Sequence, residues 1–241
     1  MRYQLLRRIQ RLLGLLSFIL LMGIVGATLE LAGFRMTSLL QSIPPGTFGV
    51  FFNHHIAIIS GHAGSDSGAV CLDAAGNPTL TEQAINAAVA ERLARRLRRS
   101  GAVVTVLAEF DPRLTMLQSD LLISLHADSC IETSGYKLAY NTRAEVLPLT
   151  SRLDNCFAQN YEPMTKLSLH TDTITHDMTD YHAFREVAPT TPALIVEMGF
   201  IGGDQALLRD QPETVAHALT ESIRCFFQSA NDQETRETNA Q

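Results

Sequence analysis

The chain has 241 residues and a net charge of −6, and much of its positive charge sits near the N-terminus or in one run, Arg92, Arg95, Arg96, Arg98 and Arg99. An acidic balance without interleaved basic and aromatic residues argues against a nucleic-acid-binding module, and the arginine run reads as the wet face of a helix. Beyond an apolar N-terminal stretch, about 200 residues remain, enough for one well-filled core and too few for two average domains.

Arg2, Arg7, Arg8 and Arg11 precede Leu12 to Leu29, a stretch without a charged side chain. As a helix it is about 27 Å long, adequate for a bilayer core, and the basic flank predicts a cytoplasmic start. The same pattern, with Val25-Gly26-Ala27, fits a cleavable signal peptide. Residues 1–36 are therefore expected to be an N-terminal hydrophobic helix, a membrane anchor (signal-anchor) or a signal segment. Export follows, either to the extracytoplasmic face of the membrane or, after cleavage, to a periplasmic or extracellular location. Residues 37–55, with Pro44 and Pro45, read as a tether and entry to the domain.

Ile56 to Ser60 is a continuously apolar strand, and Gly61 to Gly68 a loop whose glycines permit sharp turns. Asp73 to Pro78 is a turn. Thr79-Leu80-Thr81-Glu82 has the spacing of a capping box, after which Ala84, Ile85, Ala88, Val89, Leu93 and Leu97 recur at helical intervals up to Ser100-Gly101. Strands are expected over Ala102 to Leu107, Leu121 to Leu125, Tyr136 to Tyr140 and Ala193 to Val196, the last ending at Glu197. Helices are expected over Ser151 to Tyr161, Asp204 to Leu208 and Glu213 to Phe227, with Val215, Leu219, Ile223 and Phe226 facing the sheet. Residues 229–241 form a polar tail expected to fray. Strands apolar on both faces, alternating with helices, give an α/β fold: a single three-layer domain with a mostly parallel central sheet flanked by helices. Cys71, Cys130, Cys156 and Cys225 allow one or two disulfides in three full pairings, or buried free thiols, and their spacing does not choose.

In open parallel sheets, ligands gather beyond the carboxyl ends of strands. His62, His126 and Glu197 fall at such ends, and Glu82 lies in the first turn of the long helix. Two imidazoles and a carboxylate make a catalytic zinc set with a place for water, and a second carboxylate can carry protons during amide cleavage. Spacing alone does not say which glutamate is ligand and which is base. Cys130, close to His126, raises a further ligand question.

The loop Gly61-His62-Ala63-Gly64-Ser65-Asp66-Ser67-Gly68-Ala69, Glu82 at a helix start, Ser124-Leu125-His126-Ala127-Asp128 and Ile195-Val196-Glu197-Met198-Gly199-Phe200 occur in one order. In these four motifs the chain resembles the zinc-dependent N-acetylmuramoyl-L-alanine amidases, the cell-wall hydrolases of amidase type 3. The resemblance spans roughly residues 56–228, the expected zinc amidase catalytic domain. It implies that His62, Glu82 and His126 bind Zn2+ and that Glu197 is the catalytic carboxylate. It also implies peptidoglycan as substrate, cleaved at the amide between the lactyl group of N-acetylmuramic acid and L-alanine of the stem peptide; with no wall-binding repeat in the chain, retention near the wall is expected from the membrane segment or from an unidentified cell-division or wall-associated regulator. Three departures stand out: Ala63 replaces a usual glycine, Asp128 replaces a usual asparagine, and the segment between Val104 and Leu121 is short, with Glu109-Phe110-Asp111-Pro112-Arg113 a trace of the family's arginine-containing strand end. Asn141, Arg143 and Arg185 are read as surface or salt-bridge residues in preference to substrate contacts. His170, His176 and His182 are read as lying in a solvent-facing loop in preference to lining substrate or binding a second ion. Alternative functions are a related zinc peptidase or amidohydrolase on another peptide, and an inactive peptidoglycan-binding domain; the latter needs neither zinc nor a base.

Overall fold

The computed structural model describes residues 49–238, with side chains to 229, and residues 13, 16, 17, 20 and 21. It divides into Met1–Thr47 and Phe48–Gln241. In the first unit, the described residues are helical and exposed; the rest of the expected hydrophobic helix over 1–36, and 37–48 of the tether, lie outside the described residues. Among the described residues, no helix is long and apolar enough to cross a membrane. A span needs about 20 consecutive apolar residues in one helix. The expected membrane anchor, or signal-anchor, is corrected on this ground, and with it the membrane as partner and the extracytoplasmic, periplasmic or extracellular localisation that rested on the same segment.

The second unit is α/β, with a mixed sheet flanked by helices. β1 (His55–Ser60), β4 (Val103–Leu107), β5 (Leu121–Asp128), β6 (Lys137–Tyr140) and β7 (Ala193–Phe200) form a five-stranded sheet in the order β4-β1-β5-β7-β6. All neighbours are parallel except β6, which runs antiparallel to β7 at one edge. A hairpin of β2 (Val70–Leu72) and β3 (Pro78–Thr81) brackets the expected Asp73 turn.

Alternation along each strand divides the core. Ile56 and Ile58 of β1, Ile123 and Leu125 of β5, and Leu194 and Val196 of β7 pack in one apolar cluster. Its helices are α1 (Glu82–Arg99), α3 (Leu153–Thr165) and α7 (Pro212–Thr238). Ala57, Ile59, Leu122, Ala193 and Ile195 form a second cluster with Met178, Tyr181, Phe184 and Val187. These come from α4 (His176–Thr179), α5 (His182–Glu186) and the chain around them. Burial on both faces explains why the strands read as continuous apolar runs. The short helices α2 (Leu147–Thr150) and α6 (Gln205–Asp210) complete the set.

In α1, Ile85, Val89, Leu93 and Leu97 are buried, each contributing about 1.5–3 kcal/mol by leaving water. The cap differs from the expected box. Thr81, in place of Thr79, is the N-cap, its side chain accepting from the Ala84 N–H at 3.2 Å. Glu82 is then the first helical residue rather than the third, so its carboxylate is free to turn inward. At the far end, Arg96, Arg98 and Arg99 complement the helix dipole, and Arg96 pairs with Glu213 of α7 at 2.6 Å. α7 continues to Thr238, through most of the stretch read as a tail; 239–241 lie outside the described residues.

All four cysteines are paired, Cys71 with Cys130 and Cys156 with Cys225, the latter joining α3 to α7 across 69 residues of sequence. Such bonds restrict the unfolded chain and persist in oxidising surroundings. The paired substitution Cys156→Ala with Cys225→Ala is expected to lower stability by about 2–4 kcal/mol in urea unfolding; an unchanged midpoint would show that the cross-link stabilises nothing.

Candidate metal centre

β1, β5 and β7 are adjacent and parallel, so their carboxyl ends meet at one side of the sheet. Ser60 lies opposite Leu125, which places His62, two residues on, near His126. His126 in turn lies opposite Glu197. Glu82 enters from the first turn of α1. Tight backbone makes room: a Cβ on Gly61 would lie 2.6 Å from His126 Cε1, and one on Gly68 would overlap the Glu82 carboxylate. His62 itself has φ 64°, a left-handed conformation uncommon outside glycine and of the kind that concentrates at functional sites.

Glu82 lies between the two imidazoles. Its Oε2 is 3.1 Å from His62 Nε2 and its Oε1 3.0 Å from His126 Nδ1. Backbone N–H groups of Ala69 and Ala127 donate to the same oxygens at 3.0 and 3.2 Å. Glu82 and His126 are each 6% exposed. One candidate ligand atom from each of His62, Glu82 and His126 lies within 4.8 Å of the others. The second nitrogen of each ring also faces a carboxylate: His62 Nδ1 is 2.6 Å from Asp66 Oδ1, and His126 Nε2 is 3.5 Å from Glu109 Oε2. Backing of this kind fixes imidazole tautomers in metal sites.

Glu197 lies beside the same cluster. Burial, with the nearby Glu82 and Asp128 carboxylates, pushes its pKa up to about 7 against the opposing pull of His126 and Lys137. Its Oε2 is sheltered and has no hydrogen-bond partner. An unpaired buried carboxylate oxygen is costly and points to a group it is meant to meet. Lys137, 3% exposed, pairs with Asp128, donates to the Thr173 carbonyl at 2.9 Å and lies 5.1 Å from the Phe200 ring centroid. With two imidazoles and a carboxylate converging beside an unpaired acid, these residues fit a small divalent cation.

Sequence reasoning singled out His62, Glu82, His126 and Glu197, and the fold brings all four together. It missed Glu109. That side chain, 5% exposed, accepts from the His62 N–H at 2.8 Å and the Tyr181 hydroxyl at 2.7 Å, and lies 3.1 Å from His182 Nε2. Burial pushes the Glu109 pKa up, but the His182 bond, the charge of His126 and the bonds from Tyr181 and His62 hold it at about 2. The one signal in the sequence was an acid where the family carries an arginine-containing strand end. His182 thus departs from the solvent-facing reading, whereas His176 is exposed and His170 packs edge-on against Phe200. Arg185 pairs with Asp180, in line with a salt-bridge residue, whereas Asn141 is buried and accepts from the Arg143 N–H, and Arg143 donates to the Val187 carbonyl. Cys130 is in a disulfide and offers no thiolate to a metal.

Comparison with known proteins agrees with this geometry. The family model described as N-acetylmuramoyl-L-alanine amidase matches residues 56–225. No curated protein matches. Among solved structures, the CwlD amidase of Clostridioides difficile, determined in complex with the GerS lipoprotein, aligns at 18% identity with a TM-score of 0.56, over 73% of this chain and 100% of that one. The N-acetylmuramoyl-L-alanine amidase of Clostridium difficile 630 aligns at 17% identity and TM-score 0.55, over 73% and 98% of the two chains. An N-acetylmuramyl-L-alanine amidase of Mycobacterium smegmatis aligns at 16% identity and TM-score 0.54, over 74% and 99%. At these identities the structures establish a shared fold, while the family model covers most of the chain. The chain belongs to the N-acetylmuramoyl-L-alanine amidase family of peptidoglycan amidases.

Proposed function

We propose that residues 56–228 are the catalytic domain of a zinc-dependent N-acetylmuramoyl-L-alanine amidase, hydrolysing the amide between the lactyl group of N-acetylmuramic acid and L-alanine of the stem peptide. The observation that carries this reading is the convergence of His62, Glu82 and His126 with Glu197 on the neighbouring strand. His62 Nε2, a Glu82 oxygen and a His126 ring nitrogen would hold Zn2+. A zinc ion so held polarises the scissile carbonyl and acidifies water.

Glu197 takes the proton from the attacking water and returns it to the departing L-alanine amine. Its buried Oε2, which no hydrogen bond occupies, is free to take that proton, and burial raises the carboxylate's affinity for it. Asp66 holds the Nδ1 proton of His62, leaving Nε2 as donor atom. Tyr181, whose hydroxyl bonds Ser124 at 2.9 Å, packs edge-on to His126 and limits the ring's movement. A buried ion pair with Asp128 keeps the Lys137 ammonium beside Glu197.

Incubation with peptidoglycan is expected to release stem peptides with a free L-alanine amino terminus, identified by mass; chelator abolishes release and added zinc restores it. Peptides cut elsewhere would instead make the chain a peptidase, and an intact wall after treatment with zinc-loaded protein would remove the hydrolase reading. Glu197→Gln is expected to slow cleavage by about 10²–10⁴-fold with zinc content unchanged; loss of zinc in that variant would make Glu197 a ligand rather than a proton carrier.

Gly61→Ala tests the packing around the ligands. The added methyl meets the Leu125 carbonyl and the His126 ring, neither of which is a flexible side-chain tip. Zinc affinity is expected to fall by at least about tenfold although no ligand is removed, a loss of the size seen when ligand-orienting groups are altered. Parent-like affinity by chelator competition would show that the ring is not confined as described.

A further inference from the structure

Glu109 lies outside the metal-binding trio, yet its contacts converge on both histidines. Its backbone N–H donates to the Ala63 carbonyl at 3.0 Å, and its Oε2 accepts the His62 N–H at 2.8 Å. Main chain and side chain together clasp the loop carrying His62, whose left-handed backbone needs outside support. The same Oε2 is the carboxylate facing His126 Nε2, at 3.5 Å, and that nitrogen has no hydrogen-bond partner. Glu109 Oε1 is occupied separately, by the Tyr181 hydroxyl and His182 Nε2. Tyr181 is tied to Ser124, two residues before His126 on β5, and His182 Nδ1 to Glu186 at 2.8 Å. One oxygen of this buried carboxylate thus faces both histidines of the centre, while the other is held by Tyr181 and His182.

The two ring nitrogens of His126 have different surroundings. Nδ1 faces Glu82 at 3.0 Å. Nε2 lies against Gly61, where a Cβ would come within 2.7 Å, and faces Glu109 Oε2 at 3.5 Å. A neutral imidazole carries one proton, and the nitrogen that lacks it is the one able to bind metal. With an ion on Nδ1 in place of the Glu82 contact, the proton belongs on Nε2, where the charge of the Glu109 carboxylate favours it.

We propose that Glu109 is a positioning residue of the metal centre, which fixes His126 as the Nε2–H tautomer and clasps the His62 loop, so that His126 presents Nδ1 and His62 presents Nε2 to one cation. The proposal rests on the metal-centre reading above. It assigns opposite ring nitrogens to the two histidines, each backed by its own acid, Asp66 for His62 and Glu109 for His126.

Nuclear magnetic resonance of the full-length, zinc-loaded chain with ¹⁵N-labelled histidine reads the protonated nitrogen of each ring directly. His126 is expected to carry its proton on Nε2 and His62 on Nδ1; His126 bound to zinc through Nε2 would overturn the proposal, and this measurement needs no variant to fold. In parallel, chelator competition gives the zinc affinity of the parent, Glu109→Gln and Glu109→Asp, with circular dichroism confirming that each is folded. The glutamine variant is expected to bind zinc about 10–100-fold more weakly, with partial recovery in the aspartate variant. Affinity within about threefold of the parent, for a folded glutamine variant, would overturn the role of Glu109 and leave the metal centre standing. A parent that binds no zinc would remove the metal-centre reading, and this proposal with it.

Discussion

The buried carboxylate of Glu82, set between two imidazoles, is the interaction on which the rest of the site depends. It joins three elements that are far apart in sequence: the loop after β1, the end of β5 and the first turn of α1. Each of its oxygens also accepts a backbone N–H, from Ala69 or Ala127, so the acid is positioned before any ion is considered. Preorganisation of this kind places the ordering cost in folding rather than in ligand binding. It also explains the glycine at 68, where a side chain would overlap the Glu82 carboxylate, while one at Gly61 would meet the His126 ring.

Electrostatics reinforce the geometry. Glu82, Glu109, Glu197 and Asp128 gather around two histidines and one buried lysine, an excess of acid that a protein interior tolerates only when paired. Glu109 and Glu197 show the two outcomes. Glu109, held by three donors and the charge of His126, stays ionised, with a pKa of about 2. Glu197, with an oxygen no donor reaches, is pushed to about 7. The two neighbouring carboxylates thus sit in environments that hold one ionised and favour protonation of the other.

What could be read from the sequence divides along physical lines. β1, α1 and β5 were legible because periodicity and burial act locally, and the strand ends carrying His62, His126 and Glu197 followed from that pattern. The choice of Glu82 as a candidate ligand over a helix cap was not local; it came from resemblance, and the structure has the cap at Thr81 and Glu82 between the two imidazoles. The β2–β3 hairpin and the short helices α4 and α5 were not recognised, because runs of three to five residues carry too little periodicity to register. Glu109 was hidden for a different reason. Its partners, His62, His126, Tyr181 and His182, are 17 to 73 residues away along the chain and meet only through the order β4-β1-β5 and the packing of α5 on the second face.

The asparagine-to-aspartate departure at Asp128 shows how a charge can be admitted beside the candidate metal centre. Alone, Asp128 would raise the local negative potential and, with Glu82, push Glu197 further toward protonation. Lys137 meets it from the antiparallel edge strand, where it lies opposite Glu197 in the β6–β7 ladder. The ammonium is 3% exposed and is held by the Thr173 carbonyl and the Phe200 ring face as well as by Asp128, so its removal from water is matched by an anion, a dipole and a π system. One residue thus balances the charge of another across two strands, and the antiparallel placement of β6 is what brings the lysine there.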